Sequence, residues 1–139
     1  VFTTVAQPYD LVQGVFADVS ADEATFREIV PPGLTNLDVK LWSVETAGIL
    51  NAVYKFTIKT GCVANNESFG PTYNASSTLT LTGPSANNRV ATGTVTGVAT
   101  TNCAAGEYMV VSIARDSTDS ATTDIAITGA NLLFTRSLN

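Results

Sequence analysis

Residues 54–59 read Tyr54-Lys55-Phe56-Thr57-Ile58-Lys59, with an apolar side chain at every second position. Because successive side chains of a β-strand point to opposite faces of its sheet, this alternation gives the strand one apolar and one polar face. The same period of two recurs in four other stretches, at residues 37–42, 78–82, 109–114 and 125–128. The pattern predicts an all-β protein.

Turns that contain glycine and proline separate these stretches. Pro31-Pro32-Gly33 breaks the chain before the first of them, and Gly70-Pro71 lies in a long polar segment before the third. Residues 83–88 read as a turn before another β-rich run. The spacing of these runs is typical of a sandwich or barrel. We predict one domain over residues 1–139, a two-sheet jelly-roll-like β-sandwich of about eight antiparallel strands, with an immunoglobulin-like sandwich as second choice.

Two segments leave alternatives open. Residues 1–14 show no pairing pattern of their own, so we expect either an extended N-terminal arm that contacts a neighbour or an ordinary first strand. Residues 20–30 could form a short helix capped by Ser20, but the run from Thr25 also reads as a strand. We favour a turn followed by a strand there.

Composition and charge exclude several classes of protein. With 45% hydrophobic residues the chain is not intrinsically disordered, and no apolar run approaches the length that spans a membrane. A net charge of -5 argues against binding to nucleic acid. The chain has no histidine, which removes the histidine-dependent catalytic arrangements and metal sites. We expect no enzymatic activity.

The scarcity of charge points to an assembly. Charged residues make up 14% of the chain, against about 25% in typical soluble domains, and residues 90–103 contain none. A monomer with such a surface tends to associate. We therefore expect contacts with copies of itself and with other structural subunits, and we expect Gly93 and Gly97 to allow a close backbone approach to a neighbour if their strand lies at a sheet edge.

Cys62 and Cys103 both follow strand-like runs and enter polar turns. Two thiols without further ligands cannot complete a tetrahedral zinc site. Two strand ends at the same edge of a sandwich can bring such cysteines together. We predict a disulfide between them, with two separate buried thiols as the alternative. A disulfide implies formation outside a reducing cytosol, or an assembly that later meets air.

The loop after residue 115 is rich in oxygen ligands. Asp116, Asp119 and Asp124 lie in it among several hydroxyl side chains, which makes them a weak candidate for a Ca²⁺ site. The spacing departs from that of an EF-hand, so we expect these carboxylates to cap turns and one of them to pair with Arg115. We expect no metal and no other cofactor.

Three further kinds of site have candidate residues in the chain. Asn66 and Asn74 begin N-glycosylation triplets, which arise by chance in a chain rich in asparagine and threonine, so we expect no glycan there. Aromatic residues could form a platform for surface glycans; the candidates are Trp42, Tyr54, Phe69 and Tyr73. A glycosidase needs two carboxylates facing a cleft, and no spacing singles out a pair. The available carboxylates are Asp38, Glu45, Glu67 and Glu107.

The last third of the chain carries a family resemblance. A strand at residues 108–114 ends in Arg115-Asp116, a loop rich in Asp and Thr follows, and residues 123–134 complete two final strands. This arrangement resembles the closing strands of jelly-roll domains in structural proteins of tailed bacteriophages, such as fibre, appendage and capsid-decoration proteins. The resemblance implies a β-sandwich displayed on an assembly and implies no catalytic residues.

These observations together predict a non-enzymatic structural subunit of an extracellular or virion assembly. A phage capsid-decoration or appendage protein, at the virion surface or outside the cell, is the form that we favour. One alternative is a subunit of an extracellular filament or pilus assembled by strand exchange. The other is a carbohydrate-binding module.

Overall fold

The computed structural model describes residues 2–5, 11–16, 22–44, 50–86, 89–116 and 118–137. Within these ranges the chain forms nine strands and no helix, so no described helix could cross a membrane. The strands are β1 (Phe2–Val5), β2 (Leu11–Phe16), β3 (Glu23–Ile29), β4 (Leu34–Val44), β5 (Val53–Val63), β6 (Ser77–Thr82), β7 (Val90–Val95), β8 (Tyr108–Arg115) and β9 (Ile125–Arg136).

The strands form two antiparallel sheets. One has the order β1-β2-β9-β4-β7 and the other β3-β8-β5-β6. From β2 onward every connection crosses between the sheets except the one that joins β5 to β6. The order β2-β9-β4-β7 facing β3-β8-β5-β6 is that of a jelly roll built from two Greek keys. The predicted fold class is confirmed, and β1 adds a ninth strand outside the eight jelly-roll positions.

The core lies between the two sheets. In β5 the alternation seen in the sequence holds, because Tyr54, Phe56 and Ile58 are fully buried. β4 in the opposite sheet and β8, which pairs with β5, also turn alternate side chains into the core. These side chains are Leu37, Val39, Leu41, Met109, Val111 and Ile113. Each of these side chains contributes about 1.5–3 kcal/mol by its removal from water.

The first strands pair within the domain. β1 pairs with β2, and β2 pairs with β9 through Gly14 opposite Ile127 and Phe16 opposite Ile125. The described part of residues 1–14 is therefore a hairpin at the edge of a sheet rather than an arm. Segment 23–29, for which a helix was the alternative, is strand β3, because it pairs along its whole length with β8. Ser20 lies outside the described residues.

β6 and β7 are the edge strands on one side of the sandwich, and they pack against each other. A Cβ atom built on Gly93 in β7 would lie 2.7 Å from the backbone oxygen of Thr80 in β6. Our expectation that Gly93 and Gly97 serve an approach to a neighbour is corrected on this point. The close approach at Gly93 is made within the chain, while Gly97 adopts a φ of 67° in the connection that follows β7.

Candidate functional site

Cys62 and Cys103 form a disulfide, as predicted. Cys62 lies near the end of β5, and Cys103 lies in the β7–β8 connection, residues 96–107. The two Cα atoms are 5.1 Å apart, and no free cysteine occurs among the residues that the structure describes. The bond fastens the β7–β8 connection to the end of the four-stranded sheet.

Two turns of the same design follow the two cysteines. The backbone N–H of Glu67 donates to the oxygen of Ala64, and the N–H of Ala64 donates to Oε2 of Glu67 at 2.8 Å. Glu107 and Ala104 repeat both bonds, with the N–H of Ala104 2.7 Å from Oε2 of Glu107. Each glutamate therefore closes its own turn with one carboxylate oxygen.

The third residue of each turn has a positive φ. Asn66 has a φ of 68° and Gly106 a φ of 85°. A type II turn requires a positive φ at this position, where glycine and asparagine are the residues best tolerated. The local sequence therefore specifies both turns and fixes the glutamates that end them.

A cleft with a volume of about 450 Å³ opens beside the disulfide. Its walls are residues 62–63, 67–68 and 70–72 from the end of β5 and the β5–β6 connection (residues 64–76), with Asn102 and Glu107 from the β7–β8 connection. This volume lies within the range of about 300–1,000 Å³ that is usual for small-molecule sites. The fold thus brings Glu67 and Glu107 to one cleft, although they are far apart in sequence.

The buried side chain of Asn74 holds the two walls together. Its Nδ2 donates to Oγ1 of Thr60 at 3.0 Å, while its Oδ1 accepts from Oγ1 of Thr101 at 2.9 Å and from the N–H of Asn102 at 3.1 Å. A buried amide with both ends satisfied stabilises a single arrangement of the connections. The Asn74 triplet is inaccessible to a glycosyl carrier in the folded chain, whereas Asn66 is exposed.

The aromatic candidates are dispersed, and one of them lies next to the cleft. Phe69 is 64% exposed, between Ser68 and Gly70 of the cleft wall. The centroid of its ring is 6.1 Å from that of Tyr108, and Cζ of Arg27 lies 5.5 Å from its centroid. These contacts restrict the orientation of an exposed aromatic ring whose chain neighbours line the cleft.

Tyr73 lies on the outer face of the four-stranded sheet, next to Gly61 of β5. Nζ of Lys59 is 4.3 Å from the centroid of its ring. The pKa of the Tyr73 hydroxyl is raised, because burial disfavours the phenolate and the carboxylate of Glu23 adds to this by repulsion. Tyr73 therefore packs on the surface of the sheet, and it does not line the cleft.

The two remaining aromatic candidates lie elsewhere. Tyr54 is fully buried, and its hydroxyl is 2.8 Å from Oγ1 of Thr123. Trp42 is in the five-stranded sheet, where its Nε1 donates to Oδ1 of Asn131 at 2.5 Å and Nζ of Lys40 lies over its ring. A shared aromatic platform made of all four residues is therefore excluded.

Asp119 in the β8–β9 connection is a partner of Arg115, as expected for one carboxylate of this loop. Its Oδ2 accepts from Nε of Arg115 at 3.0 Å, and its Oδ1 accepts from Nη2 at 3.2 Å. The N–H groups of Lys55 and Ala121 also donate to Asp119, one to each oxygen. Both oxygens are therefore occupied by donors from the chain.

Asp116 caps a turn, as expected. Its Oδ1 accepts from the N–H of Thr118 at 2.8 Å and from Oγ1 of Thr118 at 2.7 Å, and these bonds lower the pKa of the carboxyl. Among the described residues no group of three or more Asp, Glu, Cys or His side chains could hold a metal ion. Asp116, Asp119 and Asp124 thus form no such group.

Among the carboxylates considered for a glycosidase, Asp38 lies in β4, whereas Glu67 and Glu107 line the cleft. Oδ1 of Asp38 accepts from Nδ2 of Asn36 and from the N–H of Gly97, so Asp38 holds the start of the β7–β8 connection. Glu45 lies outside the described residues. The fold brings Glu67 and Glu107 together, and their sequence spacing carried no signal of this.

No family model matches the chain, and neither a curated protein nor a solved structure matches it at a significant level.

Proposed function

We propose that this chain is a non-enzymatic structural subunit of an extracellular or virion assembly, in the manner of a capsid-decoration or appendage protein of a tailed phage. The phage setting rests on the resemblance of residues 108–134. The assembly role is carried by one observation, the distribution of charge over the edges of the two sheets.

Of the four edge strands in the described part of the chain, only β3 carries charge, with Glu23, Arg27 and Glu28. β6 and β7 have none. Because these two strands lie side by side, one whole side of the sandwich presents two uncharged edges. Solitary sandwiches protect such edges with charges, proline or bulges, since an open edge pairs readily with another chain.

Exposed apolar side chains occur at the same side. Val90 at the start of β7 is 56% exposed. Val53, the cross-strand partner of Thr82 at the end of β6, is exposed as well. Apolar surface beside uncharged edges is typical of a contact surface. We therefore place the contact with a second copy of this chain on the β6–β7 side.

The filament alternative has less support. A subunit assembled by strand exchange lacks one of its own strands, but all eight jelly-roll positions are occupied here by strands of this chain. No observation on the described residues favours a missing strand.

Sedimentation velocity over a wide concentration range tests the proposal. The wild-type chain is expected to self-associate, and the double variant Thr78→Lys/Thr92→Lys is expected to stay monomeric, because the lysines place charge on exposed positions of β6 and β7. Thr25→Lys is the matched control, an exposed threonine on edge strand β3. It is expected to associate like the wild type.

Two results would contradict the proposal. One is a wild-type chain that remains monomeric at every concentration. The other is an equal loss of association in the control, which would place the contact outside the β6–β7 side. Melting curves of all variants separate either result from simple unfolding.

A further inference from the structure

The cleft beside the Cys62–Cys103 disulfide is built rigidly from several independent constraints. The disulfide joins its walls covalently, the side chain of Asn74 in the β5–β6 connection bonds to the β7–β8 connection, and each glutamate closes its own turn. A rigid polar site loses little conformational entropy when a ligand binds, because its side chains and loops are already ordered.

The chemistry of the walls selects the class of ligand. Glu67 and Glu107 use Oε2 for their turns, and no contact within the described chain engages either Oε1. The lining also includes Ser68, which carries a hydroxyl, and Asn102, which carries an amide. This set combines strong acceptors with groups that both donate and accept, which suits a ligand rich in hydroxyl groups.

The charge of the cleft excludes anions. Its lining has two carboxylates and no Lys or Arg, and the nearby Arg27 guanidinium lies over the ring of Phe69. A phosphate, sulfate or uronate would be repelled by the two carboxylates. Two carboxylates alone also fall short of the ligand set that a bound Ca²⁺ requires.

Phe69 supplies the apolar part of the site. Its ring is 64% exposed and contacts Arg27 and Tyr108, and its chain neighbours Ser68 and Gly70 line the cleft. The C–H face of a pyranose ring packs on an aromatic ring while its hydroxyls bond to polar groups beside it. We propose that this cleft binds a neutral saccharide, with Phe69 as the stacking residue and Glu67 and Glu107 as acceptors for sugar hydroxyls.

This inference goes beyond the proposed assembly role and does not depend on it. The cleft is formed by the end of β5 and the β5–β6 and β7–β8 connections, and no residue of β6 or β7 lines it. Saccharide binding can therefore be tested on a chain that does not self-associate, and self-association can be tested on a chain that binds no saccharide.

The test is titration of the full chain with neutral oligosaccharides of glucose, galactose, mannose and N-acetylglucosamine, followed by NMR chemical shifts. At least one series is expected to bind, with shifts at residues 67–72 and 102–107. Phe69→Ala is expected to weaken binding about tenfold, the loss of a stacking contact. Glu107→Gln keeps an acceptor for the N–H of Ala104 and is also expected to weaken binding.

Trp42→Ala and Glu28→Gln are the matched controls, an aromatic residue on the other sheet and a glutamate on β3. Both are expected to bind like the wild type. The proposal is overturned if no neutral series binds, or if Trp42→Ala abolishes binding while Phe69→Ala does not. Thermal melts of each variant confirm that a loss of binding reflects the site and not the fold.

Discussion

The guanidinium of Arg115 and the carboxylate of Asp119 form a two-point ion pair with both side chains almost completely buried, 1% and 2% exposed. Arg115 also donates to the backbone oxygens of Ala121 and Thr123. The acidic β8–β9 connection is thus wrapped around a cation that belongs to the chain itself. Removal of one partner would leave the other charge buried and uncompensated.

We therefore expect Asp119→Ala to lower the free energy of unfolding by about 3–5 kcal/mol, since the Arg115 charge loses its partner in a buried place. Urea unfolding measures this. Asp116→Ala is the comparison within the same loop, and it removes only the turn bonds to Thr118, worth about 0.5–1.5 kcal/mol each. Equal losses in the two variants would show that the ion pair has no special role.

The same pair determines how the loop responds to metal ions. Both oxygens of Asp119 already accept hydrogen bonds, so Ca²⁺ would have to displace Arg115 in order to bind. We expect the melting temperature to be unchanged by EDTA and by added Ca²⁺. A clear fall in EDTA would restore the weak Asp116, Asp119 and Asp124 candidate.

Much of the fold follows from local patterns. The alternation in β4, β5 and β8 predicts which side chains enter the core, because a period of two depends only on the geometry of a strand. The turns at Asn66 and Gly106 likewise follow from residues that tolerate a positive φ. Such features could be predicted because each is decided within a few residues.

The outer face of β8 shows where local patterns fail. Alternation places Val110 and Ser112 away from the core, yet they are 5% and 0% exposed. The β5–β6 connection folds back over this face, so that Pro71 contacts Gly61, the cross-strand partner of Val110. The Oγ of Ser112 donates to Glu23.

The cleft shares this origin. Glu67 and Glu107 belong to different connections, and Asn74, in the same connection as Glu67, bonds to Thr60 of β5 and to Asn102 of the β7–β8 connection. No spacing in the sequence encodes these neighbours, because they meet where the β5–β6 connection, within one sheet, lies against the β7–β8 connection, which crosses from the other sheet. Sequence reasoning therefore found the disulfide and the candidate residues but not the site that they form.

Tyr73 gives a prediction about pH. Its raised pKa has two causes, burial first and the Glu23 carboxylate second, and both favour the neutral hydroxyl in the folded chain. The associated stability is present at neutral pH and is lost as pH rises through the pKa of the folded state. We expect Glu23→Gln to lower the pKa of Tyr73 in an NMR titration of labelled tyrosine.

Glu28→Gln, on the same strand, is the control for this titration and is expected to leave the pKa of Tyr73 in place. An unchanged pKa in Glu23→Gln would mean that burial alone raises it.

The disulfide gives a prediction about stability. It closes a loop with a sequence separation of 41, which disfavours the unfolded chain by about 4 kcal/mol in the loop-entropy description. We expect the double variant Cys62→Ala/Cys103→Ala to lose stability of that order in urea unfolding. The untreated wild type is expected to show no alkylatable thiol after denaturation. Two alkylatable thiols in that experiment would disprove the bond.

The approach of β7 to β6 gives the last prediction. A methyl group on Gly93 would meet the backbone oxygen of Thr80 at 2.7 Å, and neither strand can move without disturbing its ladder. We expect Gly93→Ala to cost about 1–3 kcal/mol of stability, as overpacking does. Gly129→Ala is the matched control, because it is also a strand glycine but has nothing within 4 Å of the added methyl group. It is expected to change stability by less than about 0.5 kcal/mol. If Gly93→Ala were equally harmless in urea unfolding, β6 and β7 would be free to separate. The two uncharged edges that we propose as the contact surface would then not form one continuous side.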